Sequence, residues 1–412
     1  MSDTGFENRM VRMKSVFADD EVFLKSAVVE EGLSQLSEMT VEFLAKDRNL
    51  NLADVAGTRI TVFVECENAS DRQFTGICTA VRFIGLYQGY GHFEAKVRPW
   101  PWFLTRRRDN RIFQSKSAID IIKDVFSAAG FPDFKDSTSS SYFERVYCVQ
   151  YRESDFDFIS RLMEEEGIYY FFEYADEKET LVLADGAGAH SAVENAAEIE
   201  FHFREANYRR RLDHIFEWAP GERIVPGKVT MTDYNFITPS ADLKSVTSIQ
   251  KGSHSHKSYE IYEYPGHHED ANGGTARTRV TMEGEVAEYK HWRAVGNVRT
   301  LATGATFTLK NHPRSSENAE YLITRTVHQL RIETDYDDDE MKKPLIERTG
   351  TQVTEDMVDT YRCIFETIPK STQFRAPKKT AWPEIAGMHT AVVVGPSGEE
   401  IHTDEYGRIK VQ

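Results

Sequence analysis

A mainly β fold with an α+β insert is what this sequence predicts, and three observations carry the prediction. Short runs of β-branched and aromatic residues recur at close spacing over the first hundred residues and again after Ile199. Between them lie two stretches of helical periodicity, each opened by a serine with an acid three residues on and closed by a glycine. The chain is 412 residues long, which points to two or three domains, and 40% of its residues are hydrophobic, enough for sizeable cores.

In chain order, Val22 to Leu24 and Val28 with Val29 are short apolar runs. Met39, Val41 and Phe43 alternate with Thr40 and Glu42, the pattern of a half-buried strand. Residues 60–64 follow Gly57 and are β-branched or apolar, and residues 74–83 and 92–97 are further strands. Such spacing argues for an antiparallel barrel or sandwich. Ser117 with Asp120 opens a helix carrying Ile121, Ile122, Val125, Phe126 and Ala129, ended by Gly130 and Pro132. Ser154 with Asp157 opens a second, with Phe158, Ile159, Leu162 and Met163 on its apolar face and Gly167 as its stop. Residues 169–174 then read as an aromatic strand. Later strands are predicted at 224–225, 229–231, 259–264, 278–289, 305–310, 321–331 and 361–368. Residues 335–340 (DYDDDE) are an acidic turn or loop. These patterns divide the chain into a first β-barrel over 1–103, the insert over 104–198 and a second β-barrel with inserted loops over 199–370. A linker over 371–386 and the start of another β module over 387–412 complete it. Gly57 precedes Ile60–Thr61–Val62 and Phe74 at the spacing at which Gly304 precedes Phe307–Thr308–Leu309 and Tyr321, as two copies of one barrel would.

Charge and composition remove several functions. There are 50 Lys and Arg against 66 Asp and Glu, a net charge of −16, so neither nucleic acid nor an anionic membrane surface is an expected partner. No apolar run approaches the roughly 20 residues of a membrane-spanning helix. Residues 1–16 lack the apolar centre of a signal peptide, so Sec export is not expected. The four cysteines, Cys66, Cys78, Cys148 and Cys363, form no CxxC and read as buried thiols of a protein made in the cytosol.

No motif assigns a catalytic, cofactor-binding or metal-binding residue. Gly395–Pro396–Ser397–Gly398–Glu399 has Glu where a nucleophile elbow needs its last glycine, and reads as a polar turn. Gly186–Ala187–Gly188 lacks a third glycine and a GK[ST], and reads as a surface loop. His254, His256, His267, His268 and His291, with Glu260, Glu263 and Asp270 among them, form the one histidine cluster. On one strand His254 and His256 would share a face and could chelate a cation, but their spacing matches no established ligand motif. Arg106–Arg107–Arg108 and Arg209–Arg210–Arg211 read as solvated faces or as partners of acids such as Glu164–Glu165–Glu166. The run at 337–339 lacks the glycine and terminal Glu of a calcium loop.

Four groups of residues, taken together, resemble the VgrG-type spike proteins of the bacterial type VI secretion system. The first is Gln150–Tyr151–Arg152–Glu153–Ser154–Asp155–Phe156 with Phe158, Arg161–Leu162 and Glu165 to Tyr170. The second is Tyr264–Pro265–Gly266 with Ala276 and Arg279, and the third is His312–Pro313 with Asn318 and Tyr321–Leu322. The last begins at Pro383 and Gly387, runs through Thr390 to Pro396, Gly398 to Ile401 and Thr403–Asp404, and ends with Tyr406 to Val411. The resemblance implies a phage tail hub-like fold with two tube-type barrels per chain, packed as a homotrimer that presents six similar barrels to a hexameric tube. It implies no enzyme and no cofactor, but a structural tip that carries needle and effectors. Its partners would be the tube protein, effector or adaptor proteins and baseplate components. It would be cytoplasmic before firing and then secreted or placed in the target cell. In that family an OB-type barrel and a needle come next. Here the chain stops at Gln412 as that barrel starts, so residues after roughly 384 are expected to be disordered or completed by a neighbour. An obligate interface of more than about 2,000 Å² is expected between copies. The alternatives are a tail hub or baseplate protein of a phage or related particle, and, third, a metal-dependent hydrolase using the His254–His291 cluster.

Overall fold

The two serine boxes start helices where the sequence places them. Ser117 Oγ accepts from Asp120 N at 3.3 Å and donates to its carboxylate at 2.6 Å, and Ser154 does the same with Asp157 at 2.9 and 2.6 Å. The helices are α1 (Ala118–Ala129) and α2 (Asp155–Glu166), closed by Gly130 and Gly167. Ile121, Ile122, Val125 and Phe126 of α1 meet Phe158 and Leu162 of α2 in one buried cluster. The computed structural model describes residues 10–66, 69–203, 212–332, 360–399 and 401–412. The chain divides into two compact units, Met1–Thr380 and Ala381–Gln412.

Ahead of α1 lie β1 (Val11–Lys14), β2 (Val22–Gly32), β3 (Gln35–Ala45), β4 (Arg59–Val64), β5 (Arg72–Tyr87), β6 (Tyr90–Arg98) and β7 (Arg108–Ser117). Around the helices come β8 (Phe134–Ser137), β9 (Glu144–Ser154), β10 (Tyr169–Ala175) and β11 (Lys178–Ala184). The later elements of this unit are β12 (Glu198–Glu200), β13 (Ile215–Glu222), β14 (Lys228–Met231), β15 (Ser245–Ser248), β16 (Glu260–Glu263), α3 (Ala271–Ala287), β17 (Lys290–Gly296), β18 (Thr306–Lys310), β19 (Glu320–Arg331) and β20 (Tyr361–Pro369). Among the described residues, twelve of these strands join in one sheet, in the order β1-β4-β5-β6-β3-β2-β19-β20-β17-β13, with β18 on β19 and β12 on β18. The antiparallel pair β2–β19 is the seam between its early and late strands, with His328 opposite Val29 and Thr326 opposite Glu31. One apolar core spans the seam and holds Phe43, Phe74 and Phe93 with Phe307, Tyr321 and Phe365. The insert keeps its own small sheets, β10-β11-β8 and β7-β9, and α3 lies against β15-β14-β16.

The paired glycines are alike in geometry. Gly57 and Gly304 both have φ +85°. Gly57 N donates to Cys78 O at 2.8 Å, and Gly304 N to Ile323 O at 2.9 Å. The return bonds match as well, Cys78 N to Thr58 O and Ile323 N to Ala305 O. The registers differ: Phe74 faces Val62, whereas Tyr321 faces Phe307, an offset of two residues that the equal spacing in sequence conceals.

Several expectations are corrected. Residues 278–289 are not a strand: most of them lie in α3, opened by Asp270, which accepts from Gly273 N at 2.7 Å. Thr275 and Thr278 turn their hydroxyls back onto Ala271 and Gly274 carbonyls, as helical threonines do. Met282 faces Val229 and Met231 of the small sheet, while Val280 lies against Gly167 on another side, so no single apolar stripe marks the helix. Ile224 and Val225 lie in the connection after β13 rather than in a strand. The strand β3 has buried residues on both faces, Met39, Val41 and Phe43 on one and Thr40 and Glu42 on the other, where Glu42 lies against Lys25 (3.9 Å) and His92 (3.3 Å). The acidic run at 335–340 and Arg209–Arg210–Arg211 lie outside the described residues.

In the second unit, the segment expected to be disordered or completed by a neighbour forms a small ribbon of its own. Strand β21 (Val393–Val394) pairs with β22 (Lys410–Val411), and Val392 and Gln412 exchange backbone bonds at 3.0 and 2.8 Å. Apart from Pro383 and Val394, every described residue of this unit is exposed.

Candidate functional site

The histidines of the cluster are not gathered around a point. His256 Nδ1 is 2.7 Å from Tyr259 OH, and the His254 ring lies 6.0 Å from that of His256. His268 is buried, with Nε2 2.7 Å from Leu243 O, and His291 sits on β17 opposite Gly221. Among the described residues no group of three or more His, Cys, Asp or Glu side chains could hold a metal ion. Gly395–Pro396–Ser397–Gly398 is a turn closed by Glu399 N on Pro396 O at 3.2 Å. Gly186 O accepts Tyr169 OH at 3.2 Å, so that loop braces β10. Two recesses, beside Tyr169 and His190 and beside Phe74 and Tyr174, each have room for about one water.

The residues of the first signature form a buried ionic staple between β9 and α2. Arg161, 2% exposed, donates to both oxygens of Glu153 at 2.6 and 2.9 Å and to Val149 O at 2.7 Å. Asp155 is fully buried and accepts from Arg111 Nη2 (2.6 Å) and Gln150 Nε2 (2.9 Å). Charged groups at this depth are held only by such paired, charge-assisted bonds. The arginine run and the glutamate run do not meet. Arg106 stacks over Trp102 at 4.4 Å and Arg107 reaches Asp155 at 3.4 Å, whereas Glu165 and Glu166 share Arg145 at 2.7 and 2.5 Å, with Arg277 at 3.5 and 3.9 Å.

The other signatures are local staples too. Gly266 N donates to Thr232 O at 2.9 Å. His312 N donates to Asn318 Oδ1 (2.8 Å) and Asn318 Nδ2 to His312 O (2.9 Å), closing the turn before Tyr321. Beside it Glu317 accepts the indole N–H groups of Trp218 (3.1 Å) and Trp292 (2.7 Å). In the second unit Asp404 accepts from Tyr406 N and Arg408 N at 2.9 and 2.8 Å.

Sequence reasoning missed three polar junctions, because their members lie far apart in the chain. Burial pushes the Asp185 carboxyl up, but bonds from Ser140, Ser139 and Tyr142 outweigh it and hold it at about 2. At the seam, burial also opposes the Glu31 charge, yet His328 and Arg72 bring its pKa below the ordinary value. Arg72 is 3.2 Å away and His328 Nε2 3.6 Å, the latter beyond hydrogen-bond length. Burial in turn lowers the His328 pKa. The third junction is His190, which stands between Tyr169 OH and Gly304 O at 2.7 Å each.

A wide sheet, an inserted α+β layer and polar groups used for bracing make this unit a mainly β scaffold. The chain belongs to the phage tail baseplate hub (GPD) family, whose model matches residues 30–334. The spike protein VgrG1a of the Pseudomonas aeruginosa type VI secretion system is 36% identical over 406 residues, covering 98% of this chain and 60% of that protein. VgrG1b of the same organism is 35% identical, covering 98% and 52%. The chain thus spans between half and three fifths of these relatives' length. The fold is also that of the Escherichia coli c3393 protein, a type VI component similar to the T4 tail proteins gp27 and gp5. That match has a TM-score of 0.69 at 17% identity and covers 97% of this chain and 88% of that one.

Proposed function

We propose that this chain is the hub part of a type VI secretion spike. Three copies form a collar on the hexameric tube, and the collar bears needle, effector or adaptor proteins against the baseplate. Residues 1–103 and 199–370 are the two tube-like barrels of each copy, 104–198 is the insert, 371–386 the linker and 387–412 the start of an OB-type barrel. The observation that carries this reading is the likeness to VgrG1a along nearly the whole chain. The matched geometry at Gly57 and Gly304 supports two related modules. The role is mechanical: among the described residues the signature side chains brace turns and helix ends. The protein is made in the cytosol and leaves with the fired tip. A hydrolase built on His254–His291 has no support in the positions of those side chains.

Two measurements test this. Light scattering on size-exclusion fractions should give about three times 47.2 kDa for this chain, or for a form extended beyond Gln412. A monomer in both forms would sink the collar. In a strain lacking the gene, export of the tube protein should stop and return with the extended form; undiminished export refutes the spike role.

A further inference from the structure

The chain leaves β20 at Pro369 and enters the second unit at Ala381, and the residues between are fastened down. Gln373 Nε2 donates to Asp185 O at 3.4 Å, and the Phe374 ring meets Tyr169 edge-on at 5.1 Å. Arg375, 6% exposed, donates from Nη1 to Gly167 O (2.6 Å) and Asp185 O (2.7 Å), and from Nε to Glu283 (2.8 Å). One guanidinium therefore ties together the end of α2, the residue after β11 and the middle of α3. Its charge lies at the carbonyl end of α2, where the helix dipole favours a cation. A Cβ on Gly167 would stand 3.1 Å from Arg375 Cδ and 2.9 Å from Val280, so the strap lies as close as backbone allows. Further on, the Glu164 carboxylate takes Lys379 N (3.1 Å), Thr380 N (3.0 Å) and Thr380 Oγ1 (2.9 Å).

We propose that residues 373–380 are a clasp that carries tension from the C-terminal unit into α2 and α3, with Arg375 and Glu164 as its two locks. The proposal rests on the spike reading, in which the chain beyond Thr380 bears the puncturing device. A pull on Ala381 meets the Glu164 lock first, then Arg375, and only then β20. That strand lies between β19 and β17, so losing it would open the sheet both halves share. Each lock loads several bonds at once, the Arg375–Glu283 pair and the Glu164 acceptors being charge-assisted. The fold thus diverts load away from the sheet.

Single-molecule pulling on the whole chain tests the clasp, with one handle after Gln412 and one at a K46C substitution. Clasp release should appear as a separate early step, lengthening the tether by up to about 40 Å as residues 370–380 straighten. R375M and E164Q should each lower the force of that step and leave later unfolding unchanged. Near-UV circular dichroism checks that the variants fold; should R375M not fold, E164Q and T380V carry the test. Superimposable traces for wild type and variants, or a wild type with no early step, overturn the proposal. The tube-export assay reads the spike role separately: export with an absent clasp step refutes the clasp alone, whereas a clasp step without export refutes the spike role.

Discussion

Gly57 and Gly304 share a backbone conformation but not an environment. A Cβ at Gly57 meets nothing within 4 Å, while one at Gly304 would lie 2.8 Å from the Phe171 ring. Alanine at Gly57 should therefore cost only the left-handed strain, about 1–2 kcal/mol. Gly304→Ala should add overpacking against the insert, for a total of about 2–5 kcal/mol. Urea midpoints of the two variants check this, and equal losses would contradict the contact with Phe171. His190 gives a second residue-level test. Burial lowers its pKa, and the bond to Gly304 O only partly offsets that. Because the folded value lies below the unfolded 6.5, the contribution is fully present above that pH and is lost as pH falls through the folded value. Stability should decline on acidification below pH 6.5, and His190→Gln should flatten that decline in a urea series; an unchanged slope removes His190 as its source. None of this is legible in the sequence. A histidine 114 residues from its carbonyl partner leaves no local pattern, and charge runs reveal charge but not that Arg107 will find Asp155 or that Glu165 and Glu166 will share Arg145.

At the scale of elements, legibility tracks how local the deciding interaction is. Helices α1 and α2 can be read because serine, acid and glycine at their ends act within one turn. Ser154→Ala should cost about 0.5–2 kcal/mol, near 1, by removing the bond from Asp157 N. Thermal unfolding of the variant checks it, and a loss well beyond that range would mean that the neighbouring Asp155 network depends on the cap. Helix α3 is hidden in the sequence because tertiary burial on two sides overrides the β-branched bias of Thr278, Val280 and Thr281. The ribbon β7–β9 escapes notice because its outer face mixes Ile112 and Tyr147 with Asn110 and Gln114. In β13, Pro220 argues against a strand, yet among the described residues β13 is the last strand in the sheet order, an edge position where a missing N–H is tolerated.

For the whole molecule, the mainly β class and the hub resemblance are both readable, since strand composition and ordered motifs survive without knowledge of contacts. The seam is not, because the pairing of β2 with β19 joins residues some three hundred positions apart. That seam makes Met1–Thr380 one unit with a shared core, and it bears on what the rest of the chain contributes. Among the described residues of 381–412 none is buried, and Trp382, Val392, Ile401 and Val411 are all exposed. Hydrophobic stabilisation scales with apolar area removed from water, so this ribbon has little folding free energy of its own. A chain ending at Thr380 keeps Arg375, Glu164 and every strand of the seam. Its urea midpoint and cooperativity should match those of the 412-residue chain, because the slope of unfolding depends on the surface exposed. Trp382→Phe in the longer chain removes the one tryptophan of the second unit, so both fluorescence curves then report on the larger unit alone. A clearly lower midpoint for the shorter chain would show that the ribbon supports the larger unit, and the division at Thr380 would then fail as a description of how stability is distributed.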